Sequence, residues 1–283
     1  MALAAVKLTD DQFKALRDVV YQRSGIWFAD NKRYVLESRL ARRLQELELD
    51  DFGQYVTLLS MGPYREDEFQ EMFNRITINE TSFFRNAPQL DVFEKKFLPK
   101  LLEARKTTRR LRIWSAACST GEEPYTLAIQ IHRTLGIRMA DWHVEILGSD
   151  ISERVLMTAQ TGRYTDYSVR SMDSMITRRY FTQDGSMYQL DPTIMSMVNF
   201  ERINLKDAYA AKRHGVFDVI FCRNVIIYFD QKMRDGCLKL FHDMLSDDGV
   251  LMIGHSETIR EPHLYSPVAE TQAFAYTKAK RSV

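Results

Sequence analysis

Residues 111–125 read Leu-Arg-Ile-Trp-Ser-Ala-Ala-Cys-Ser-Thr-Gly-Glu-Glu-Pro-Tyr, and this run constrains the chain more than any other. An apolar stretch (Leu111, Ile113, Ala116, Ala117) gives way to small residues, one glycine, two acids and a proline. Leu127, Ala128, Ile131 and Leu135 then recur at helical spacing up to Gly136. Strand, tight small-residue turn and helix is how an open α/β sheet brings backbone close to a nucleotide-like ligand. Glu122 and Glu123 restrict that ligand, because paired carboxylates repel a pyrophosphate and welcome ribose hydroxyls or a cation. The turn predicts a site for a nucleoside without phosphates.

The rest of the chain is organised around this unit. Strands are expected at 111–117, 143–149, 198–203, 216–222, 249–254 and 272–278, with helices near 123–135, 152–160 and 231–245. Such alternation predicts a doubly wound, mainly parallel sheet. Residues 161–197 are too long for a plain connection and carry a hairpin signal at Asp184-Gly185, so a small β-insertion is expected there. The last strand (Gln272, Phe274, Tyr276) follows its predecessor without a clear helix, which predicts antiparallel pairing.

Residues 1–78 are helical in pattern throughout. Thr9 with Gln12 forms a capping box ahead of Phe13, Leu16, Val19 and Val20, and Gly25 ends the stripe. Leu36, Leu40, Leu44 and Leu47 mark a second helix, and Asp50 or Asp51 caps a third bearing Phe52, Tyr55 and Leu59. After Gly62-Pro63, a fourth carries Phe69, Met72, Phe73 and Ile76. Residues 79–110 read as a connector: irregular through Arg85, helical from Asn86 and Pro88 to Leu101, then a basic, solvated run from Arg105 to Arg110.

A chain of 283 residues has room for about two domains. Its 39 basic and 38 acidic residues leave a net charge of +1, which gives no general argument for nucleic acid or an anionic membrane as partner. Three widely spaced cysteines (Cys118, Cys222, Cys237) without a C-x-x-C pair predict neither a disulfide framework nor a metal site. The first residues are too short in their apolar part for a secretory signal, and no run approaches the roughly 18 apolar residues of a spanning helix. A reducing, cytoplasmic setting is expected, with a monomer as the default.

Further candidates stand at the ends of the other strands. Asp150 closes the second strand, where an acid can accept both ribose hydroxyls; the competing reading is an N-cap of the next helix. Arg223 and Asn224 end the fourth strand, and Asn204 follows the third, on the edge where ligands of such sheets lie. A surface arginine and a turn asparagine are their ordinary alternatives. Adenosine without phosphate points to S-adenosylmethionine. A dehydrogenase is disfavoured because the first turn lacks G-x-G-x-x-G. The Asn/Asp-Pro-Pro-Tyr loop of enzymes that methylate amino groups on bases is also missing.

Four ordered motifs carry a family resemblance: Asn79-x-Thr81-x-Phe83-Phe84-Arg85, the run from Ser115 to Tyr125, Phe221-Cys222-Arg223-Asn224-Val225-Ile226-Ile227-Tyr228-Phe229, and Gly254-His255-Ser256-Glu257. Together they resemble chemotaxis receptor methyltransferases, the CheR-type protein-glutamate O-methyltransferases, over essentially the whole chain. The resemblance implies an all-α N-terminal domain, then a Rossmann-like class I methyltransferase sheet with a small inserted antiparallel β-subdomain. It implies an S-adenosylmethionine site drawn from Asn79, Thr81, Arg85, Glu123, Asp150, Asn204, Leu205, Arg223 and Asn224, with Glu123 favoured over Glu122. It sets Arg85 and Tyr228 beside the reacting groups, whose ordinary readings are a surface arginine and a core tyrosine.

The implied substrate is a glutamate on the helical cytoplasmic domain of a methyl-accepting receptor, and S-adenosylhomocysteine is the product. A non-enzymatic module that binds S-adenosylmethionine and docks partners is the alternative. Lys32, Arg33, Arg39, Arg42 and Arg43 crowd the second helix and offer a docking face for an acidic partner, or simply a solvated face. The hairpin from Tyr180 to Tyr188 is tight and lacks the longer glycine-bearing loop of members that grip a receptor C-terminal peptide, which predicts action without such a tether.

Overall fold

The computed structural model describes residues 6–280. Helix α1 (Asp10–Ser24) opens with the complete capping box of Thr9 and Gln12 and ends at Gly25, whose φ of +77° favours glycine. Helices α2 (Arg33–Glu46), α3 (Phe52–Met61) and α4 (Arg65–Ile76) follow, and Asp51, not Asp50, caps α3. Phe13, Leu16, Leu36, Leu40, Phe52 and Met72 are buried together between them.

One buried carboxylate braces this helical unit. Glu68, 6% exposed, accepts from the Tyr55 hydroxyl at 2.6 Å and from the Arg43 guanidinium at 2.5 to 3.2 Å. Arg43 therefore does not belong to an outer cationic face. It flanks the Leu36–Leu40–Leu44 stripe, so its side chain reaches inward, and Glu68 on α4, with Glu46 on its own helix, makes that position favourable.

The connector helix is one rod in three parts: α5 (Ala87–Val92), a wide turn over Phe93–Phe97, and α6 (Leu98–Ala104). Pro99 has no amide to return to the preceding turn, and the widened turn lies just before it. Beyond it, Arg105 departs from the solvated run expected there. Its guanidinium binds Asp218 at 2.7 Å and Asp248 at 2.6 Å, clamping the connector to the base of the sheet.

The sheet runs β1 (Arg110–Ala116), α7 (Glu122–Leu135), β2 (His143–Asp150), α8 (Glu153–Thr161) and, after an insertion, β6 (Val198–Arg202). The insertion holds β3 (Arg163–Thr165), α9 (Asp166–Val169), α10 (Ser174–Tyr180), β4 (Phe181–Asp184), β5 (Met187–Leu190) and α11 (Pro192–Met195). Its three strands form a separate antiparallel sheet, and Gly185 and Ser186 make the two-residue turn of its hairpin. Then come α12 (Ala208–Lys212), β7 (Phe217–Cys222), α13 (Gln231–Met244), β8 (Leu245–Ile253), β9 (Tyr265–Pro267) and β10 (Ala275–Lys278).

The seven-stranded order is β6-β2-β1-β7-β8-β10-β9, parallel from β6 to β8 and antiparallel at β10 and β9. Strand order reverses between β1 and β7, so the ligand crevice of such sheets opens above their carboxyl ends. Most strand boundaries fall within one residue of expectation, and two differ by three or more. Strand β8 starts at Leu245 rather than 249, directly out of α13, and β10 starts at Ala275 rather than 272. Residues Thr271–Ala273 form a tight helical turn and Phe274 sits at φ +45°, so neither can extend the ladder.

Helical unit and sheet are tied at that crevice. Ile26 pairs with Phe229 as an isolated antiparallel bridge, and the Trp27 amide donates to the Tyr228 carbonyl at 2.9 Å. Lys206 and Asn204 donate to the last carbonyls of α1, and Tyr21 donates to Asp230 at 2.9 Å.

Candidate active site

The β1–α7 turn is built for close backbone approach. Ala117, Ser119 and Gly121 all take positive φ, and the Cys118 amide donates to the Ser149 carbonyl at 2.8 Å, locking the turn onto β2. The Cys118 thiol is buried against Val155 and Leu156, and burial pushes it up, so it fills space rather than reacting. A Cβ on Gly121 would meet that of Ala159 at 2.8 Å. The turn thus needs its small residues for packing as well as for ligand access.

Above it lies a cavity of about 730 Å³ walled by both the sheet and the helical unit. Asn79, Thr81, Arg85, Glu123, Asp150, Asn204, Leu205, Arg223, Asn224 and Tyr228 all line it. Glu122 does not: only 2% exposed, it takes hydrogen bonds from Thr120 and Ser168, and burial raises its carboxyl. Glu123 faces the cavity, held by Ser115 Oγ at 2.7 Å and by the Arg223 guanidinium at 3.1 Å. Of the two acids, the second is the one within reach of a ligand.

Ser152, not Asp150, is the N-cap of α8, whereas Asp150 stands two residues ahead of it on the cavity wall. The Asp150 carboxylate accepts the Ser152 amide at 3.0 Å and the Ser119 amide at 2.9 Å. Arg223 is buried, donates to the Arg85 carbonyl at 2.6 Å, and keeps an Nε without a partner among the described residues. Arg85 itself donates to the Glu80 carbonyl at 2.5 Å. Tyr228 is half-buried; burial raises its phenol, and the nearby Arg39 and Arg85 cations pull the other way.

Several contributors were not readable from the sequence as parts of this site. Arg39 reaches the cavity from α2 while its guanidinium caps the Ile76 and Thr77 carbonyls at the end of α4. Trp27, Tyr34, Ile78 and Ile227 form an exposed apolar rim. Glu257, known beforehand only as part of a motif, is buried beneath the loop after β7 and binds four backbone amides. Only a long-range fold brings these residues together, so local periodicity could not nominate them.

Residues 79–274 match the family described as CheR methyltransferase, SAM binding domain, and residues 11–77 match CheR methyltransferase, all-alpha domain. The chain belongs to the CheR methyltransferase family. It is 36% identical over 256 residues to chemotaxis protein methyltransferase 2 of Vibrio cholerae, covering 90% of this chain and 88% of that one. It is 37% identical to the chemotaxis protein methyltransferase of Escherichia coli, over 88% and 85% of the two chains, and 35% identical to that of Borreliella burgdorferi, over 90% of each.

The donor set of this CheR-family cavity fits S-adenosylmethionine. The Asp150 carboxylate has lone pairs that suit a diol, and the Glu123 carboxylate has lone pairs that suit an ammonium group. The cavity volume falls within the roughly 300–1,000 Å³ of small-molecule sites. Among the described residues no cluster of His, Cys, Asp and Glu could hold a metal, and no helix is long and apolar enough to cross a membrane.

Burial lifts the Asp150 carboxyl above its usual range, against the pull of its amide bonds. Hydroxyl donors from a bound ribose would favour the ionised form, so binding lowers this pKa and releases protons. Affinity is then full above the raised pKa and declines as pH falls through it. Calorimetry with S-adenosylhomocysteine from about pH 8 to about pH 5 should show that weakening, and Asp150→Asn should flatten it. A flat profile in the wild type would remove Asp150 from the ligand contacts.

Proposed function

We propose that this protein transfers the methyl group of S-adenosylmethionine to glutamate side-chain carboxylates on the cytoplasmic helical domain of chemotaxis receptors, giving methyl esters for sensory adaptation. The observation that carries the reading is Arg85 and Tyr228 sharing one cavity with the inner set Glu123, Asp150 and Arg223. The bound donor supplies an electrophilic sulfonium methyl. Asn79, Thr81, Asn204, Leu205 and Asn224 complete its walls.

The acceptor needs no general base, because a glutamate with an ordinary pKa of about 4.3 is ionised near pH 7. Arg85 grips that carboxylate through N–H groups not used on Glu80, and the Tyr228 hydroxyl donates beside it. Trp27, Phe28 and Ile227 exclude water that would otherwise shield the nucleophile. The work is alignment and desolvation.

Of Arg39, Arg42 and Arg43, Arg42 is the cation left to meet an acidic receptor: its side chain is 83% exposed and, among the described residues, pairs with Glu46 of its own helix. Arg43 is occupied by Glu68, and Arg39 serves the α4 terminus and the cavity. We read the protein as a cytoplasmic monomer, and the two-residue hairpin turn at Gly185 supports action without a receptor tether peptide.

Radiolabelled S-adenosylmethionine and receptor-bearing membranes test the reading. Label that base treatment releases as methanol is the expected result and marks an ester. Base-stable label would rule out the carboxylate as acceptor. Binding of S-adenosylhomocysteine with no transfer would favour a docking module instead.

A further inference from the structure

We propose that Glu257 is a positioning residue for methyl transfer: its carboxylate fixes the backbone from Asn224 to Ile227 and so sets where Arg223 and Tyr228 stand. The inference rests on the function proposed above. Strand β8 ends at Ile253, and the Glu257 amide donates to the Gly254 carbonyl at 3.0 Å, folding residues 254–257 back under the loop after β7. One carboxylate oxygen accepts from the Gly254 amide at 2.6 Å and the Asn224 amide at 3.0 Å. The other accepts from Val225 at 3.0 Å and Ile227 at 3.3 Å.

The loop needs such an acceptor. Residues 223–225 leave the sheet with neither ladder nor helix to take their amides, and Asn224 is held at φ +61°. A carboxylate has about four lone-pair sites, enough for all four donors, and no cation competes for it among the described residues. The approach is so close that a Cβ on Gly254 would lie 2.7 Å from a carboxylate oxygen and 2.9 Å from the Asn224 nitrogen. Glycine is required at 254 for that reason.

Glu257 does not line the cavity, yet what it holds does. Arg223 carries Glu123 and the Arg85 carbonyl, and the Tyr228 amide donates to Val225, whose own amide is held by Glu257. A single buried acid thereby registers the candidate donor pocket against the acceptor-facing pair.

Glu257→Gln replaces one acceptor oxygen with an amide NH₂, leaving two backbone donors facing a donor. Glu257→Asp keeps the charge on a stem one carbon shorter. The Gln variant should lose about 100-fold in kcat, with receptor KM and S-adenosylhomocysteine Kd each changed less than about tenfold and the Asp variant intermediate. Hydrogen exchange should speed up at Asn224, Val225 and Ile227 in the Gln variant and stay slow in the sheet strands. Full activity in Glu257→Gln, or unchanged exchange at those amides, overturns the role. Faster exchange throughout the sheet overturns it in favour of a purely structural one. Wild-type protein that transfers no methyl group overturns the proposed reaction and this role with it, whereas equal activity in wild type and variant overturns this role alone.

Discussion

Arg85→Ala should lower kcat for methyl transfer by about 10²–10³-fold, with S-adenosylhomocysteine affinity changed only slightly. The asymmetry follows from which atoms of Arg85 do what. Its carbonyl accepts Arg223 and survives the substitution, so the inner set keeps its geometry. Its guanidinium, propped by the Glu80 carbonyl, is the part that would meet an incoming carboxylate. Lysine at this position keeps a charge but loses the planar fork, so Arg85→Lys should recover only part of the rate. Initial rates on receptor membranes, with calorimetric Kd alongside, decide the matter. An unchanged kcat would remove Arg85 from the reacting groups, and parallel losses of kcat and affinity would make it a binding residue.

Glu68→Ala should cost about 3–5 kcal/mol of stability, because it takes the main carboxylate from a largely buried Arg43, leaving it Glu46 alone, and leaves the buried Tyr55 hydroxyl without its acceptor. Melting should move down by about 6–20 °C. The Arg23–Glu66 pair nearby is its control. Both of its side chains are well exposed, so Glu66→Ala should change stability by about 1 kcal/mol or less. Differential scanning calorimetry separates the cases, and similar small shifts in both variants would mean that Glu68 is not the brace described. A loosened α4 would also release the Ile76 and Thr77 carbonyls from Arg39, so cavity and helical unit should fail together.

The architecture was legible where physical cause is local. The change from apolar run to small residues to helical spacing located β1, its turn and α7, and alternation after it predicted the parallel sheet with an antiparallel final strand. The site was legible where polar residues interrupt an apolar strand end, as at Asp150 and at Arg223-Asn224. What stayed hidden depends on partners far along the chain. Arg43 and Arg105 look like surface cations until Glu68, Asp218 and Asp248 are folded against them. Strand β9 is three residues ending in proline and exists only because β10 is beside it. Between Glu122 and Glu123, which acid serves the cavity was decided by Ser168 and Arg223, neither of them a sequence neighbour.

The antiparallel contact of Ile26 with Phe229, with Trp27 bound to the Tyr228 carbonyl, bears on how such enzymes can be recombined. A chimera that exchanges only the first 78 residues between relatives would replace one strand of that contact and keep the other, leaving the phenol of Tyr228 on a foreign support. Grafts that carry residues 204–206 and 226–230 along with the helical unit transplant both halves of the seam, and with it the register on which the aromatic side chain depends.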